Sequence, residues 1–322
     1  MTATATIERI ESGLPSSRVK IDDLAGRLGL RPTEIGVFRK IYGLDELRYE
    51  PGGGLLDLVL PPARRALEAL PAGRRVDYVV FAHTMQMLTP PGIDAAPLIR
   101  DALGLHGAEA FAVNQQACVS SMGAIDITAE LMRADRGRRA PGGYGLMVTG
   151  ERAYSPRIQL IPHSAIMAEA AAACLFTLDG PGDPVLSYVD RVRGEFADGL
   201  LMSDDQIKRF GAAYAPELAD VIRAAVAEAG LEPAEVDLVI PHNVNTISWR
   251  HVIKELEIPP ERVFLDNVPR LSHCYSSDVF VNYTTLRDAG RLKAGRPYVL
   301  ASVGLGATFG AMVVRRSGTG AA

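Results

Sequence analysis

The sequence predicts an α/β fold in which one unit of alternating strands and helices occurs twice. Three observations carry that prediction. Two segments read alike: ALEALPAGRRVDYVVFAHT, ending near His83, and AVAEAGLEPAEVDLVIPHN, ending near His242. Each runs amphipathic helix, short turn, Val-Asp, then a buried strand, with Asp77 and Asp237 as matching points 160 positions apart. A second pair, YGLMVTGE from Tyr144 and YVLASVGL from Tyr298, repeats at 154. Repetition over that distance is a fold-level signal. Third, the strands are apolar throughout rather than alternating, as parallel strands are when helices cover both faces.

The elements follow in order. PGGGLLD at Pro51 lacks the lysine of a phosphate loop, so it reads as a loop leading into a helix near 56–69. The first half should then hold strands near 77–82, 111–115, 144–149 and 173–178, with helices near 94–103 and 119–134. The turn Gly180-Pro181-Gly182-Asp183-Pro184 divides the chain into an N-terminal half, 1–182, and a C-terminal half, 183–322. In the second half, strands are expected near 185–190, 237–241, 262–266, 298–303 and 311–316, and helices near 204–229, 246–256 and 279–292. Tyr298 to Val314 carries no charge, but Gly304, Gly306 and Gly310 interrupt it. It reads as two strands about a glycine turn, because a membrane span wants ~20 apolar residues without such breaks.

Composition narrows the function classes. With 322 residues, 48% of them hydrophobic, there is material for one large domain or two fused halves. A net charge of -4 gives no basic pull toward nucleic acid. Three cysteines argue against a disulfide framework and for a reducing compartment. The opening MTATATIERIESGLPSSR has no charged-then-apolar signal pattern, so a cytoplasmic protein is expected. No Cys/His spacing fits a zinc site, and no metal is expected.

Cys118 is the most informative residue. It stands where the strand around Phe111 to Val113 gives way to a helix from Ser120, whose Met122, Ile125, Ala129 and Met132 share one face. A thiol there lies at the positive end of a helix dipole, beside amides without intrahelical partners. Such a place favours the thiolate, and the same amides can stabilise an oxyanion. A small buried cysteine closing a strand end explains the segment equally well. The repeat adds a geometric expectation. Between 154 and 160 positions beyond Cys118 lie Ser272, His273, Cys274, Tyr275, Ser276, Ser277 and Asp278. In a pseudo-twofold fold that corner, rich in groups that move protons, should face Cys118.

Three segments, in order, resemble a known family: QQACVSSMGA with Cys118, DLVIPHNVN with His242 and Asn245, and VGLGATFGA from Val303 to Ala311. They are similar to the thiolase-fold condensing enzymes, specifically the type III β-ketoacyl-ACP synthase group. Weaker similarity, including LGLHGAEAFAV and LKAGRPYVLASVG, covers most of the remainder. The resemblance implies two βαβαβαββ halves stacked as five layers, usually as a homodimer. It implies a ping-pong reaction without a permanently bound cofactor. Cys118 would take an acyl group from a thioester of CoA or phosphopantetheinyl acyl carrier protein, and a second substrate would accept it. His242 becomes the proton-handling histidine. The oxyanion hole would use the Cys118 amide and an amide of the Gly304-Leu305-Gly306 turn, where glycine lets the backbone approach a substrate. A narrow apolar tunnel would admit the carrier arm. Asn245, and Trp249 and Arg250 on the following helix, are candidate contacts along it, and His83 is a candidate pocket residue. Trp249, Arg250 and His83 also read as ordinary surface. Cys174 and Cys274 read as packing residues, and His106, His163 and His251 as incidental. The basic run Arg133 to Ala140 fits either an acidic carrier protein or a solvated helix end.

Two departures matter. Where the family has an asparagine in Gly-Asn-Thr-Ser, this chain has LSHCYSSD, with His273 at that position. That asparagine, with the histidine, normally holds the enolate oxygen while a malonyl unit loses CO2. Either His242 and His273 form a two-histidine set and decarboxylative condensation survives, or one of them pairs with Asp278 as an oriented base for an incoming hydroxyl or amine. Type III-like acyltransferases of natural-product pathways resemble the second case. A carboxylate makes a histidine basic but repels an enolate. The preferred reading is therefore an acyltransferase using Cys118, His242, His273 and Asp278 on a small-molecule acceptor, with condensation as the alternative. A non-catalytic partner subunit is disfavoured because Cys118 and His242 are both present. The stretch IMAEAAAACLF around Glu169 also replaces a glycine-rich one, which leaves the pocket shape and dimer-side wall open.

Overall fold

Residues 4–138 and 142–318 are described by the computed structural model. The first half supplies strands β1 (Ala5–Gly13), β2 (Val76–Ala82), β3 (Glu109–Val113), β4 (Tyr144–Glu151) and β5 (Ala170–Thr177). The second supplies β6 (Asp183–Val192), β7 (Leu238–Pro241), β8 (Pro297–Gly304) and β9 (Thr308–Arg315). The repeated apolar segments become β2, β4, β7 and β8, each buried from end to end.

Pairing repeats with the sequence. In the first half β2 runs parallel to β3 and β4, β4 antiparallel to β5, and β5 antiparallel to β1. In the second, β7 runs parallel to β8, β8 antiparallel to β9, and β9 antiparallel to β6. Where β3 would have a counterpart, Val263 makes a single parallel bridge to Val239. β1 and β6 pair antiparallel, with Ala5 opposite Val185, so among the described residues the half-sheets continue as one nine-stranded sheet.

The layer-forming helices are α1 (Leu55–Leu67), α2 (Ala95–Ala102), α3 (Ser120–Ala134), α4 (Asp204–Glu228), α5 (Thr246–Leu256) and α6 (Asp278–Asp288). α1 and α2 cover the outer face of the first half-sheet, α4 and α5 that of the second, and α3 and α6 lie between them. Helix, sheet, helix, sheet, helix gives five layers. The central cluster joins Met122 and Ile125 of α3 to Val279, Phe280 and Tyr283 of α6 and to strand residues of both halves. Met122 and Ile125 are fully buried, and each contributes about 1.5–3 kcal/mol by leaving water.

Among the differences from the sequence-based expectation, two concern the large sheet. β1 lies outside the expected set because Ile7 and Ile10 are spaced like helix neighbours, and a bulge between Ile7 and Arg9 is what turns both to the face of the central cluster. The strand expected near 262–266 is reduced to the Val263 bridge, because Pro259 and Pro260 lead into a short 3-10 turn, Pro260–Arg262.

Candidate active site

Both halves enter their central helix through the same backbone device. Ala117 has φ 49° and Tyr275 has φ 53°, left-handed values for side-chain-bearing residues, and each opens a 3-10 turn that feeds α3 or α6. Strain of that kind costs about 1–3 kcal/mol per residue, and the surrounding contacts must hold it. The match sets Ser276 in the second half where Cys118 stands in the first. The two corners are tied together. Ser121 Oγ donates to the Ser276 carbonyl at 2.6 Å, the Thr149 and Ser276 hydroxyls lie 2.6 Å apart, and Ser302 Oγ donates to the Cys118 carbonyl at 3.1 Å.

At this junction Cys118, His273 and Asp278 form a line. Cys118 Sγ is 3.4 Å from His273 Nε2, and His273 Nδ1 donates to Asp278 Oδ2 at 2.5 Å. All three residues are buried. Asp278 opens α6 and is held by three further donors: the Asn243 amide at 2.7 Å on Oδ2, and the Cys274 amide at 2.8 Å and Asn243 Nδ2 at 3.1 Å on Oδ1. Burial works against a charged His273, but the Asp278 carboxylate and the Cys118 sulfur outweigh it and push its pKa up to about 10. His273 is therefore an oriented, strongly basic imidazole aimed at a thiol.

His242 sits differently. Its ring centroid is 5.5 Å from that of His273, yet its Nε2 is hydrogen-bonded to Tyr214 OH at 3.0 Å. Burial, and then the charge on His273, hold its pKa well below the ordinary value. Its Nδ1 is buried without a partner among the described residues. The site thus contains one basic and one neutral imidazole.

A cleft of about 420 Å³ reaches Cys118, His242 and His273. Met202, Phe210, Val244 and Leu305 give it an apolar wall, with Tyr214, His163 and His251 among its polar groups. Asn245 also lines it, but its side chain caps α5 by accepting from the Ser248 amide at 2.7 Å and donates to the Ser164 carbonyl at 3.0 Å. Leu305 lies on the wall, and Gly306, with φ 121°, shapes the turn beside it.

Three expected substrate contacts lie elsewhere. Trp249 is fully buried behind His242, its indole N–H donating to the His242 carbonyl at 2.8 Å. Arg250, one position on, faces away from the cleft and is exposed. His83 stacks on Phe81 and lines a separate groove with Met87 and Asn114. Conversely, His163 and His251, which read as incidental, line the cleft. For His251 a signal exists: it stands three and four residues beyond Ser248 and Ile247, on one helix face with them. Tyr214, on α4, carried no local signal.

Cys174 and Cys274 are buried, and burial pushes both thiols up. In the basic run, Arg133 pairs with Glu130 and Arg136 with Asp179, while Arg139 and Ala140 lie outside the described residues. Among the described residues no group of His, Cys, Asp and Glu is arranged to hold a metal ion, and no helix is long and apolar enough to cross a membrane.

Comparison with known proteins adds three findings. Residues 226–316 match the family of 3-oxoacyl-[acyl-carrier-protein] synthase III C-terminal domains. The chain is 26% identical over 330 residues to β-ketoacyl-[acyl-carrier-protein] synthase III of Bordetella petrii, covering 97% of this chain and 98% of the relative. Among solved structures it is similar to 3-oxoacyl-(acyl carrier protein) synthase III, FabH, of Pseudomonas aeruginosa PAO1 (TM-score 0.79, 20% identity) and to the acyltransferase ChlB3 (TM-score 0.81, 17% identity), each covering 97% of this chain and 98% of the other. The duplicated, five-layered architecture is the thiolase fold. Within it, the chain is similar to type III β-ketoacyl-[acyl-carrier-protein] synthases along nearly its whole length, and its C-terminal part matches their C-terminal domain.

Proposed function

We propose that the protein is an acyltransferase: it takes an acyl group from an acyl-carrier-protein or CoA thioester onto Cys118 and passes it to a hydroxyl or amine of a small molecule. The observation that carries this reading is the Cys118–His273–Asp278 line, a carboxylate-backed imidazole directed at a thiol. In the loading step Sγ, whose proton His273 already holds, attacks the thioester carbonyl. The oxyanion is met by the Cys118 amide and an amide of the turn containing Leu305 and Gly306. Collapse expels the carrier thiolate, which leaves with the proton from His273. In the second step the acceptor loses its proton to His273 while attacking the acyl carbonyl, and Cys118 departs as the leaving group. His242, neutral and bonded to Tyr214, lines the reacting space and orients the substrates. The working unit is a homodimer, a reading supported by an edge strand, β3, on which Phe111 and Val113 are only partly covered.

Decarboxylative condensation is supported by one observation, the 5.5 Å approach of the His242 and His273 rings. Against it stands Asp278, whose charge repels an enolate in a site this buried. A non-catalytic subunit has no use for a histidine so oriented. The test is to incubate the protein with acyl thioesters, follow its intact mass, then add hydroxyl or amine acceptors or a malonyl carrier. An adduct on Cys118 that an acceptor discharges without CO2 is the expected result. Release of CO2 coupled to product would overturn the acyltransferase reading.

A further inference from the structure

We propose that Thr84 is a further catalytic group, its hydroxyl donating to the Cys118 sulfur, and that Glu151 is the positioning residue that holds it there. Thr84 Oγ1 lies 3.6 Å from Cys118 Sγ, within reach for an atom as large as sulfur. Thr84 follows β2 by two residues, in a segment that no helix or strand contains. What fixes that segment is a carboxylate. The Thr84 amide donates to Glu151 Oε1 at 2.6 Å and the Met85 amide to Oε2 at 2.9 Å. Glu151 is the last residue of β4 and has no exposed surface. Its burial is costly: it pushes the carboxyl pKa up to about 7, although both amides and the Thr84 hydroxyl, which faces the carboxylate as well as the sulfur, pull the other way. A carboxylate kept in such a place serves where two adjacent amides must be fixed at once, and here those amides orient the residue that touches the sulfur.

The chemistry gives the contact a role. With the proton on His273 the sulfur carries charge, and a hydroxyl donor binds a charged acceptor more strongly than a neutral one. Thr84 therefore favours the attacking sulfur in the first step and the departing sulfur in the second. The ionisable groups that face Cys118 are His273, Tyr214 and Tyr275, and those that face Glu151 are His273, Tyr154 and Tyr275. His273 faces both, so it has to be left intact in any test of the pair.

Alkylation by iodoacetamide, followed across pH by peptide mass spectrometry, reads the sulfur without any acyl donor. Peptide mapping separates Cys118 from Cys174 and Cys274. Thr84→Val is expected to slow Cys118 alkylation near neutrality by about three- to tenfold, and to move the midpoint of the pH–rate profile upward. Thr84→Ser keeps the hydroxyl and should stay within about twofold of the wild type. Glu151→Gln should shift the profile in the same direction as Thr84→Val and add little to it in the double variant. A Thr84→Val profile that overlays the wild type, or a Thr84→Ser profile that follows Thr84→Val, overturns the proposal for Thr84. A folded Glu151→Gln variant with an unchanged profile overturns the part assigned to Glu151. Should that variant fail to fold by circular dichroism, the Thr84 pair still decides the contact. The proposal rests on Cys118 as the nucleophile and not on the acceptor. Absence of an acyl adduct would sink the acyltransferase reading while leaving the alkylation result intact.

Discussion

Replacing Asp278 with asparagine separates the two half-reactions. The side chain keeps its shape, but the charge that sustains His273 is lost. That charge, with the Cys118 sulfur, lifts His273 from 6.5 to about 10 against the opposing effect of burial. The substitution also disturbs packing. Oδ2 receives His273 Nδ1 and the Asn243 amide, and Oδ1 receives the Cys274 amide and Asn243 Nδ2. Whichever way an amide sits, its NH2 group meets two donors, at a cost of about 1–3 kcal/mol in stability, readable as a lower urea midpoint. The kinetic costs differ. A thiol is a capable nucleophile with modest help, so loading should fall about tenfold. A hydroxyl acceptor depends on a strong, correctly oriented base, so transfer should fall about 100- to 10,000-fold. Loading is read as the rate of the acyl mass shift on intact protein, and transfer as decay of that adduct after acceptor is added, at a temperature where the variant is folded. Equal losses in the two steps would refute the argument that Asp278 acts chiefly on the acceptor.

Two further outcomes follow from buried charge. His273 holds a proton in the folded chain that the unfolded chain releases near 6.5, so its contribution to stability is fully present below that value and is lost as pH rises through about 10. Urea midpoints should fall across that window and flatten in His273→Gln; an unchanged slope would contradict the assignment. Arg152 and Glu169 form an ion pair at 2.8 Å with side-chain exposures of 4% and 2%. Arg152→Met leaves Glu169 with amide donors only, from Ala153 and Glu50, and should cost about 3–5 kcal/mol. Adding Glu169→Gln should restore part of it, and a single-variant loss below about 1 kcal/mol would count against the pair.

Legibility in the sequence followed the range of the forces involved. β2, β4, β7 and β8 declare themselves because a strand covered on both faces must be apolar at every position. The repeat then brought the window from Ser272 to Asp278 opposite Cys118, since a duplicated backbone carries its corners with it. What could not be read was the choice between imidazoles. His242 matches its motif, yet Tyr214, contributed by a helix of another layer, occupies its Nε2. His273 matches no asparagine, yet it takes the place beside sulfur. Such choices depend on contacts between residues far apart in the chain, for which spacing offers no rule. Trp249 illustrates the same limit: its helical position does not say that the indole folds back beneath His242 rather than outward.

Ser276 occupies the place in the second half that Cys118 holds in the first, and its hydroxyl is engaged with Thr149. Duplication has thus given the chain two matching sockets, one holding a thiol beside an imidazole and one turned into a fastening. On the proposed reading each chain would carry a single acyl cargo, however many copies assemble. On that reading neither half could be exchanged alone, because one brings the sulfur and the other the imidazole beside it.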